Sequence, residues 1–126
     1  ALLADGDGGV RWEAVEALGK LGQHAAPHAG AMAALLADGD EVVRWHAVGA
    51  LGQLGLHAAP HASAMATLLA DGDRDVRWHA VQALGKLGQH AAPHASAMAE
   101  LLADGDGGVR RAAVWALGKL GQHAAR

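Results

Sequence analysis

The stretch at residues 10–22, VRWEAVEALGKLG, decides the fold because it recurs along the chain. Each copy begins 33 residues after the last, as VRWHAVGALGQLG, VRWHAVQALGKLG and VRRAAVWALGKLG at Val43, Val76 and Val109. Self-similarity at a fixed period of this length is typical of stacked-repeat solenoids, in which each unit buries its apolar face against its neighbours. The sequence therefore predicts one repeat array over the whole chain.

Each copy has the apolar period of an α-helix. In the first copy the positions i, i+4, i+7, i+8 and i+11 are occupied by Val10, Ala14, Ala17, Leu18 and Leu21. This spacing predicts one apolar helical face. Gly19 is expected to allow close approach of a neighbouring helix, and Gly22 is expected to end this one. We call the four copies the Val-Arg helices.

A second segment, HAAPHAGAMAALLAD at residues 24–38, separates successive Val-Arg helices. Pro27 suits a first helical turn, where its missing N–H costs nothing. His28, Met32, Leu35 and Leu36 then share one face. We call this segment and its two later copies the Pro-His segments, and we predict each to be a helix. Burial of His28, His61 and His94 on these faces would make the array acid-sensitive.

An Asp-Gly-Asp triplet joins each Pro-His segment to the next Val-Arg helix, at residues 5–7, 38–40, 71–73 and 104–106. Gly6 suits a left-handed residue after a helix, and Asp7 suits the N-cap of the next helix. The expected architecture is an all-α solenoid of helical hairpins, about three and a half to four repeats over residues 1–126. Both ends fall inside a repeat, since ALLA at residues 1–4 and QHAAR at residues 122–126 match opposite ends of a Pro-His segment.

The composition excludes several classes of protein. Hydrophobic residues make up 52% and charged residues 18%, which is a globular composition. The net charge of −3 gives no basic footprint for nucleic acid. No run of eighteen apolar residues is present, so we expect no membrane span. The absence of Cys leaves the compartment open, with an intracellular location as the default expectation.

The pattern D-x-x-V-R-x-x-A-x-x-A-L-G-x-L-G, present in all four copies, resembles the HEAT-like repeats of the bilin-lyase type. The resemblance implies a right-handed superhelix, stabilised by an Asp/Arg ladder between repeats. That ladder would be formed by Asp7, Asp40, Asp73 and Asp106 with Arg11, Arg44, Arg77 and Arg110. An i, i+4 pair within each helix is the alternative. Both roles are structural.

Tryptophan recurs off the apolar face, two residues after the Val of the first three copies. In HEAT-like arrays this position usually faces the concave groove, where an exposed Trp is a typical binding hot spot. The alternative is that each ring packs between repeats. The residues predicted to line a binding groove are Trp12, Glu13, Glu16, Trp45, His46, Trp78, His79, Gln82, Arg111 and Trp115.

Catalytic and metal-binding patterns are weak. The pairs in H-A-A-P-H have the i, i+4 spacing of some metal sites, but the first His precedes the helix, so a structural role is expected. The His-Glu pairs of iron-binding HEAT-like hydroxylases are absent, and Asp-Gly-Asp lacks the further ligands of a calcium loop. We predict no catalytic residue, no cofactor and no metal.

Three functions remain open at this point. The first is a non-catalytic scaffold that binds a protein or peptide on its concave face. The second, which rests on resemblance alone, is an accessory repeat domain of a bilin lyase or a similar enzyme. The third is a spacer or consensus repeat array without a partner, which the near-identity of the copies favours. Because the first and last Val-Arg helices lack a full partner for their apolar faces, we also expect head-to-tail self-association.

Overall fold

The computed structural model describes residues 2–124, so Ala1, Ala125 and Arg126 lie outside it. Within that range all regular structure is helical, which confirms the all-α solenoid. The α-helices are α1 Gly8–Lys20, α2 Ala29–Ala34, α3 Glu41–Gln53, α4 Ala62–Thr67, α5 Arg74–Lys86, α6 Ala95–Glu100 and α7 Gly107–Ala124. The 3₁₀ segments are Leu2–Ala4, Gly22–His28, Leu35–Ala37, Gly55–His61, Leu68–Ala70, Gly88–His94 and Leu101–Ala103.

The Val-Arg helices α1, α3, α5 and α7 begin at aspartate caps, as predicted. The Asp7 carboxylate accepts a hydrogen bond of 2.8 Å from the backbone N–H of Gly9. Asp40, Asp73 and Asp106 cap their helices in the same way. The left-handed turn, however, is not at Gly6. It occurs at Gly22, Gly55 and Gly88, with φ of 57°, 58° and 56°.

The Pro-His segments are not continuous α-helices. Pro27 lies within the 3₁₀ segment Gly22–His28, and α2 follows with only six residues. Pro27 has no backbone N–H, and its ring would clash with the carbonyl four residues before it, so an α-helix that begins at Gly22 cannot run through Pro27. Met32, Leu35 and Leu36 are buried as predicted.

The prediction that His28, His61 and His94 are buried on an apolar face is wrong. His28 is exposed, and His61 and His94 are partly exposed. The backbone of His28 has φ −102° and ψ 4°, outside the helical region, at the junction between the 3₁₀ segment and α2. This junction breaks the periodicity on which the prediction depended, and with it the proposed origin of acid sensitivity.

Successive Val-Arg helices pack directly on one another. A Cβ atom placed on Gly19 would lie 2.7 Å from the Cβ of Ala50, and one placed on Gly52 would lie 2.8 Å from the Cβ of Ala83. Since real Cβ atoms do not approach so closely, these glycines permit the close helix contact that the sequence predicted. The predicted apolar face is buried in α3 and α5, together with Val48 and Val81, which the periodicity did not include.

An Asp/Arg ladder crosses the repeats, but through the other aspartate of each triplet. Arg11 donates to both carboxylate oxygens of Asp38, with Nε–Oδ2 and Nη2–Oδ1 distances of 2.8 and 3.0 Å. Equivalent pairs join Arg44 to Asp71 and Arg77 to Asp104. The predicted partners, Asp7, Asp40, Asp73 and Asp106, are instead engaged as helix caps.

Each of these arginines changes the titration of the aspartate that it binds. Hydrogen bonds from Arg11 and Arg77 lower the pKa of Asp38 and of Asp104, respectively, below the ordinary aspartate value. The fourth arginine, Arg110, donates to the backbone carbonyl of Asp104 at 2.7 Å. It has no carboxylate partner within the described residues.

Candidate functional site

A groove of about 370 Å³ crosses α1, α3 and α5. Six of its lining residues were predicted from the sequence, namely Glu16, Trp45, His46, Trp78, His79 and Gln82. The other lining residues are Gly19, Gly49, Ala50, Gln53, Ala83 and Lys86. The predicted residues that lie outside this lining are Trp12, Glu13, Arg111 and Trp115. The period of the α-helix would have predicted Gln53 and Lys86 as well. Each lies eight residues, about two turns, after a tryptophan that lines the groove.

The tryptophans of the first three repeats form a continuous stack with the histidines that follow them. His46 lies between Trp12 and Trp45, with ring centroids 4.3 and 3.6 Å away. His79 lies 4.3 Å from Trp45 in a stacked arrangement and 4.7 Å from Trp78 in an edge contact. We call these five rings the aromatic stack. The two alternatives considered for Trp combine at Trp45 and Trp78, which are half-buried, packed against the rings of the stack and still line the groove.

Both faces of the Trp45 indole are covered by imidazole rings. A ligand in the groove can therefore reach only the edge of this indole and its N–H group. The simple picture of an exposed indole face that binds a ligand by stacking does not apply at Trp45. The stack instead forms a wall in which the three central rings, His46, Trp45 and His79, each have a ring neighbour on both sides.

The two histidines of the stack have defined tautomers. Nδ1 of His46 lies 2.7 Å from the carbonyl oxygen of Val42, and Nδ1 of His79 lies 2.8 Å from that of Asp75. A carbonyl only accepts, so Nδ1 carries the proton and Nε2 has a free lone pair in the neutral ring. No buried side-chain nitrogen or oxygen lacks a partner among the described residues, so each Nε2 retains some exposure to solvent. Burial lowers the pKa of His79 below its ordinary value.

The space in the middle of the groove exists because position 49 is a glycine. The equivalent positions carry Glu16, Gln82 and Trp115 in the other repeats. A Cβ at Gly49 would lie 3.6 Å from Cδ2 of His79, which is ordinary contact, so packing does not require the glycine. Its effect is to leave a gap one side chain wide over the aromatic stack.

Polar side chains interrupt the largely apolar lining of the groove, and residues of opposite charge lie at its two ends. Glu16 lies at the α1 side and Lys86 at the α5 side. Between them Gln53 and Gln82 supply amide groups that can both donate and accept hydrogen bonds. The site can therefore engage a polar chain as well as an inserted side chain.

Among residues 2–124 the side chains that are described contain no group of three or more His, Cys, Asp or Glu placed to hold a metal ion. The same part of the chain has no helix with the length and apolar character needed to cross a membrane.

Comparison with known families identifies the repeat. The model for HEAT repeats matches residues 29–97 and 62–126, and the model for the PBS lyase HEAT-like repeat matches residues 10–29. No curated protein sequence matches the chain at a significant level.

Solved structures with the same fold include engineered proteins. An engineered protein from the Northeast Structural Genomics Consortium has a TM-score of 0.80 at 20% identity, over 94% of this chain and 59% of its own. A designed armadillo repeat protein in complex with the peptide (KR)4 has a TM-score of 0.77 at 23% identity, over 98% of this chain and 68% of its own. A second engineered protein from the consortium has a TM-score of 0.76 at 20% identity, over 94% of this chain and 36% of its own. At these identities the likeness concerns the fold alone.

Proposed function

The chain belongs to the HEAT-repeat family, and we propose that it is a non-catalytic scaffold that binds an extended peptide in the groove across α1, α3 and α5. The observation that carries this proposal is the gap at Gly49, open above a wall of stacked rings. A designed repeat protein of similar fold is described in complex with a peptide, which supports the class of ligand.

The groove offers complementary chemistry for an extended backbone. Such a segment has unpaired N–H and C=O groups, and the amides of Gln53 and Gln82 can bond both kinds. One peptide side chain would enter the gap at Gly49 and contact the edge of Trp45. The Nε2 atoms of His46 and His79 would accept hydrogen bonds from its polar atoms.

The charges orient the peptide. Glu16 and the exposed Glu13 favour a basic residue at the α1 side, and Lys86 favours an acidic residue or a carboxyl terminus at the α5 side. Exposed charges of this kind contribute more to orientation and association rate than to affinity. We therefore expect a peptide of mixed charge and a preference for one direction of binding.

The gap can be filled without damage to the fold. Gly49→Gln places at this position the residue that the next repeat already carries, and its Cβ meets only ordinary contacts. The matched control is Gly30→Ser, since Gly30 is exposed and its equivalents are Ser63 and Ser96. Peptides would be selected from a random library on the parent chain, and their affinities for the parent and both variants measured by calorimetry.

We expect Gly49→Gln to weaken binding by about tenfold or more, since the inserted side chain loses its space. Gly30→Ser should bind as the parent does, and both variants should melt at or above the parent temperature. Failure to select any peptide would overturn the proposal. If the selected peptides bound Gly49→Gln as tightly as the parent, the binding site would lie outside this groove.

A further inference from the structure

We infer that the gap at Gly49 takes a basic side chain of the bound peptide, which donates a hydrogen bond to Nε2 of His79, and that acid therefore releases the peptide. The side chain would enter the groove of the proposed function, on which the inference rests. Three features of the gap support it: the residues on either side, the ring edge that borders it and the protonation of that ring.

The gap lies between two polar side chains on the neighbouring helices. Glu16, Gly49 and Gln82 occupy equivalent positions of successive repeats, and all three line the groove. The exposed Glu16 carboxylate only accepts hydrogen bonds, and the Gln82 carboxamide can accept through its oxygen. Lys86 lines the groove too, but it lies four residues, about one turn, after Gln82. The gap therefore has acceptors on both sides and a negative charge on one of them.

The edge of the His79 imidazole borders the gap. A Cβ atom at Gly49 would lie 3.6 Å from Cδ2 of His79. Because Cδ2 is bonded to Nε2, the nitrogen with the free lone pair lies on the same edge of the ring. Nδ1 lies 2.8 Å from the carbonyl oxygen of Asp75 and donates to it, which leaves Nε2 as the acceptor of the neutral ring. A ligand group in the gap therefore meets an acceptor at this edge as well.

The combination of an open position and a neighbouring histidine occurs once among the repeats. The equivalent pairs are Glu16 with His46, Gly49 with His79 and Gln82 with Ala112. In the first pair the position before the histidine carries a long side chain, and in the third pair no ring is present. The gap beside His79 therefore differs from its equivalents and can fix the register of a bound peptide.

The three acceptors favour a ligand side chain that only donates. Arginine carries five N–H donors in a planar fork and lysine carries three, and neither has an acceptor. Both are positively charged, as the Glu16 carboxylate requires of a favourable partner. An acidic side chain would meet acceptors on all three sides, and an apolar one would leave Nε2 of His79 without a partner.

His79 accepts only while its ring is neutral. The ring stacks on Trp45 of α3 and makes an edge contact with Trp78, and burial lowers its pKa below the ordinary value. The charged or titratable groups around it are Asp75 and Lys86 on α5, His46 on α3 and Glu16 on α1. On α7, the positions equivalent to Trp78 and His79 carry Arg111 and Ala112.

Protonation reverses the role of this ring. Nε2 becomes a donor, and the positive charge repels the basic side chain. Binding should therefore be complete above about pH 6.5, the ordinary histidine value, and weaken as the pH falls through the lowered pKa of His79. By the same linkage, the bound peptide should lower the pKa of His79 further.

The first test identifies the side chain in the gap. Peptides without histidine would be selected on the parent from a random library at pH 7.5, and each of their residues replaced in turn. We expect one arginine or lysine whose replacement by norleucine weakens binding by about tenfold. On Gly49→Gln, where the gap is filled, the same replacement should change the affinity by about twofold or less.

The result separates this inference from the proposed function. Peptides that bind the parent more tightly than Gly49→Gln, but depend on an acidic or an apolar residue, would overturn the basic side chain and leave the groove as the binding site. Failure to select any peptide would overturn both.

The second test is the pH dependence of the affinity. Calorimetry at pH 7.5 and pH 5, with circular dichroism to verify folding, should show that the parent loses about threefold or more in affinity. His79→Gln should bind more weakly at pH 7.5 and equally at both pH values, because glutamine does not titrate. The control His28→Gln, at an exposed position outside the groove lining, should keep the parental ratio.

A purely structural role of His79 would weaken binding without removing its pH dependence. A parental ratio of affinities in His79→Gln would therefore overturn the inference, as would a parent whose affinity is the same at pH 7.5 and pH 5.

Discussion

The helices α1 and α3 have nearly the same sequence and very different surroundings. Leu21, at the end of α1, is 54% exposed, whereas its equivalent after α3, Leu54, is 3% exposed. Ala17 and Ala50 differ in the same sense. The apolar pattern marks a face that can be buried, but only a repeat stacked on that face buries it.

The same comparison provides internal controls. Many equivalent positions in different repeats carry the same residue in the same local structure. A substitution made at both positions of such a pair changes the same atoms, so the difference between the two results measures stacking alone. The predictions below use these pairs, in order of decreasing effect.

The largest difference is expected for Leu54→Ala compared with Leu21→Ala. Removal of the buried Leu54 side chain should lower the free energy of unfolding by about 3 kcal/mol, because it leaves a cavity. At Leu21 the loss should be below about 1 kcal/mol, since the side chain is largely in water. Chemical denaturation monitored by circular dichroism measures both. Equal losses would mean that the two environments do not differ as described.

The Asp/Arg ladder should show the next largest difference, between Asp104→Ala and Asp5→Ala. Both changes remove a carboxylate that accepts a turn hydrogen bond from the backbone N–H of Asp106 or of Asp7. Only the Asp104 carboxylate also accepts from an arginine side chain. The excess loss at Asp104 should be about 2 kcal/mol, a typical value for hydrogen bonds between charged groups. Chemical denaturation of both variants at pH 7 measures this excess.

The pH dependence of that excess follows from the pKa of Asp104, which the hydrogen bond from Arg77 lowers in the folded state. A lowered folded-state pKa means that the stability is complete above the ordinary aspartate value of about 4 and is lost as the pH falls through the lowered value. The difference between the two variants should therefore shrink at acid pH. A difference that did not begin to shrink as the pH falls below about 4 would contradict the ion pair as its source.

Substitution of glycine by alanine should change the free energy of unfolding in opposite directions at an interior and at a terminal repeat. Gly52→Ala should destabilise the chain by about 1 kcal/mol, since a Cβ 2.8 Å from that of Ala83 forces the helices apart by more than the helix propensity returns. Gly118→Ala should stabilise it by about 0.5 kcal/mol, through helix propensity alone. Dilute samples keep copies of the chain separate in these melts. Stabilisation at both positions would mean that the close approach at Gly52 can relax.

The smallest predicted effect is on the stability of the chain at acid pH. Because burial lowers the pKa of His79, the unfolded chain binds a proton more readily, and stability should decrease as the pH falls from 7.5 through about 6.5. The groups that act on this ring are Asp75, His46 and Lys86. His79→Gln should reduce the loss of melting temperature between pH 7.5 and pH 5, whereas His28→Gln, at an exposed position, should leave it unchanged. If His79→Gln lost as much melting temperature as the parent, a group other than His79 would be the source of the pH dependence.

The sequence alone determined the features that depend on a short stretch of chain. The 33-residue period, the helical face of each Val-Arg helix, the Asp caps and the buried Met32, Leu35 and Leu36 were all predicted. Local hydrogen bonds and the period of the α-helix are enough to fix them. The resemblance to HEAT-like repeats follows from the same pattern and is confirmed by the family match.

Contacts between repeats were decided by the tertiary structure. The pairing of Arg11 with Asp38, the stacking of Trp45 on His79 and the approach of Gly49 to His79 all join groups about one repeat apart in sequence. Each depends on the distance and rotation between neighbouring helices, which are set by the packing of glycine on alanine. A periodic pattern specifies which residues share a face, but not which atoms of the next repeat that face will meet.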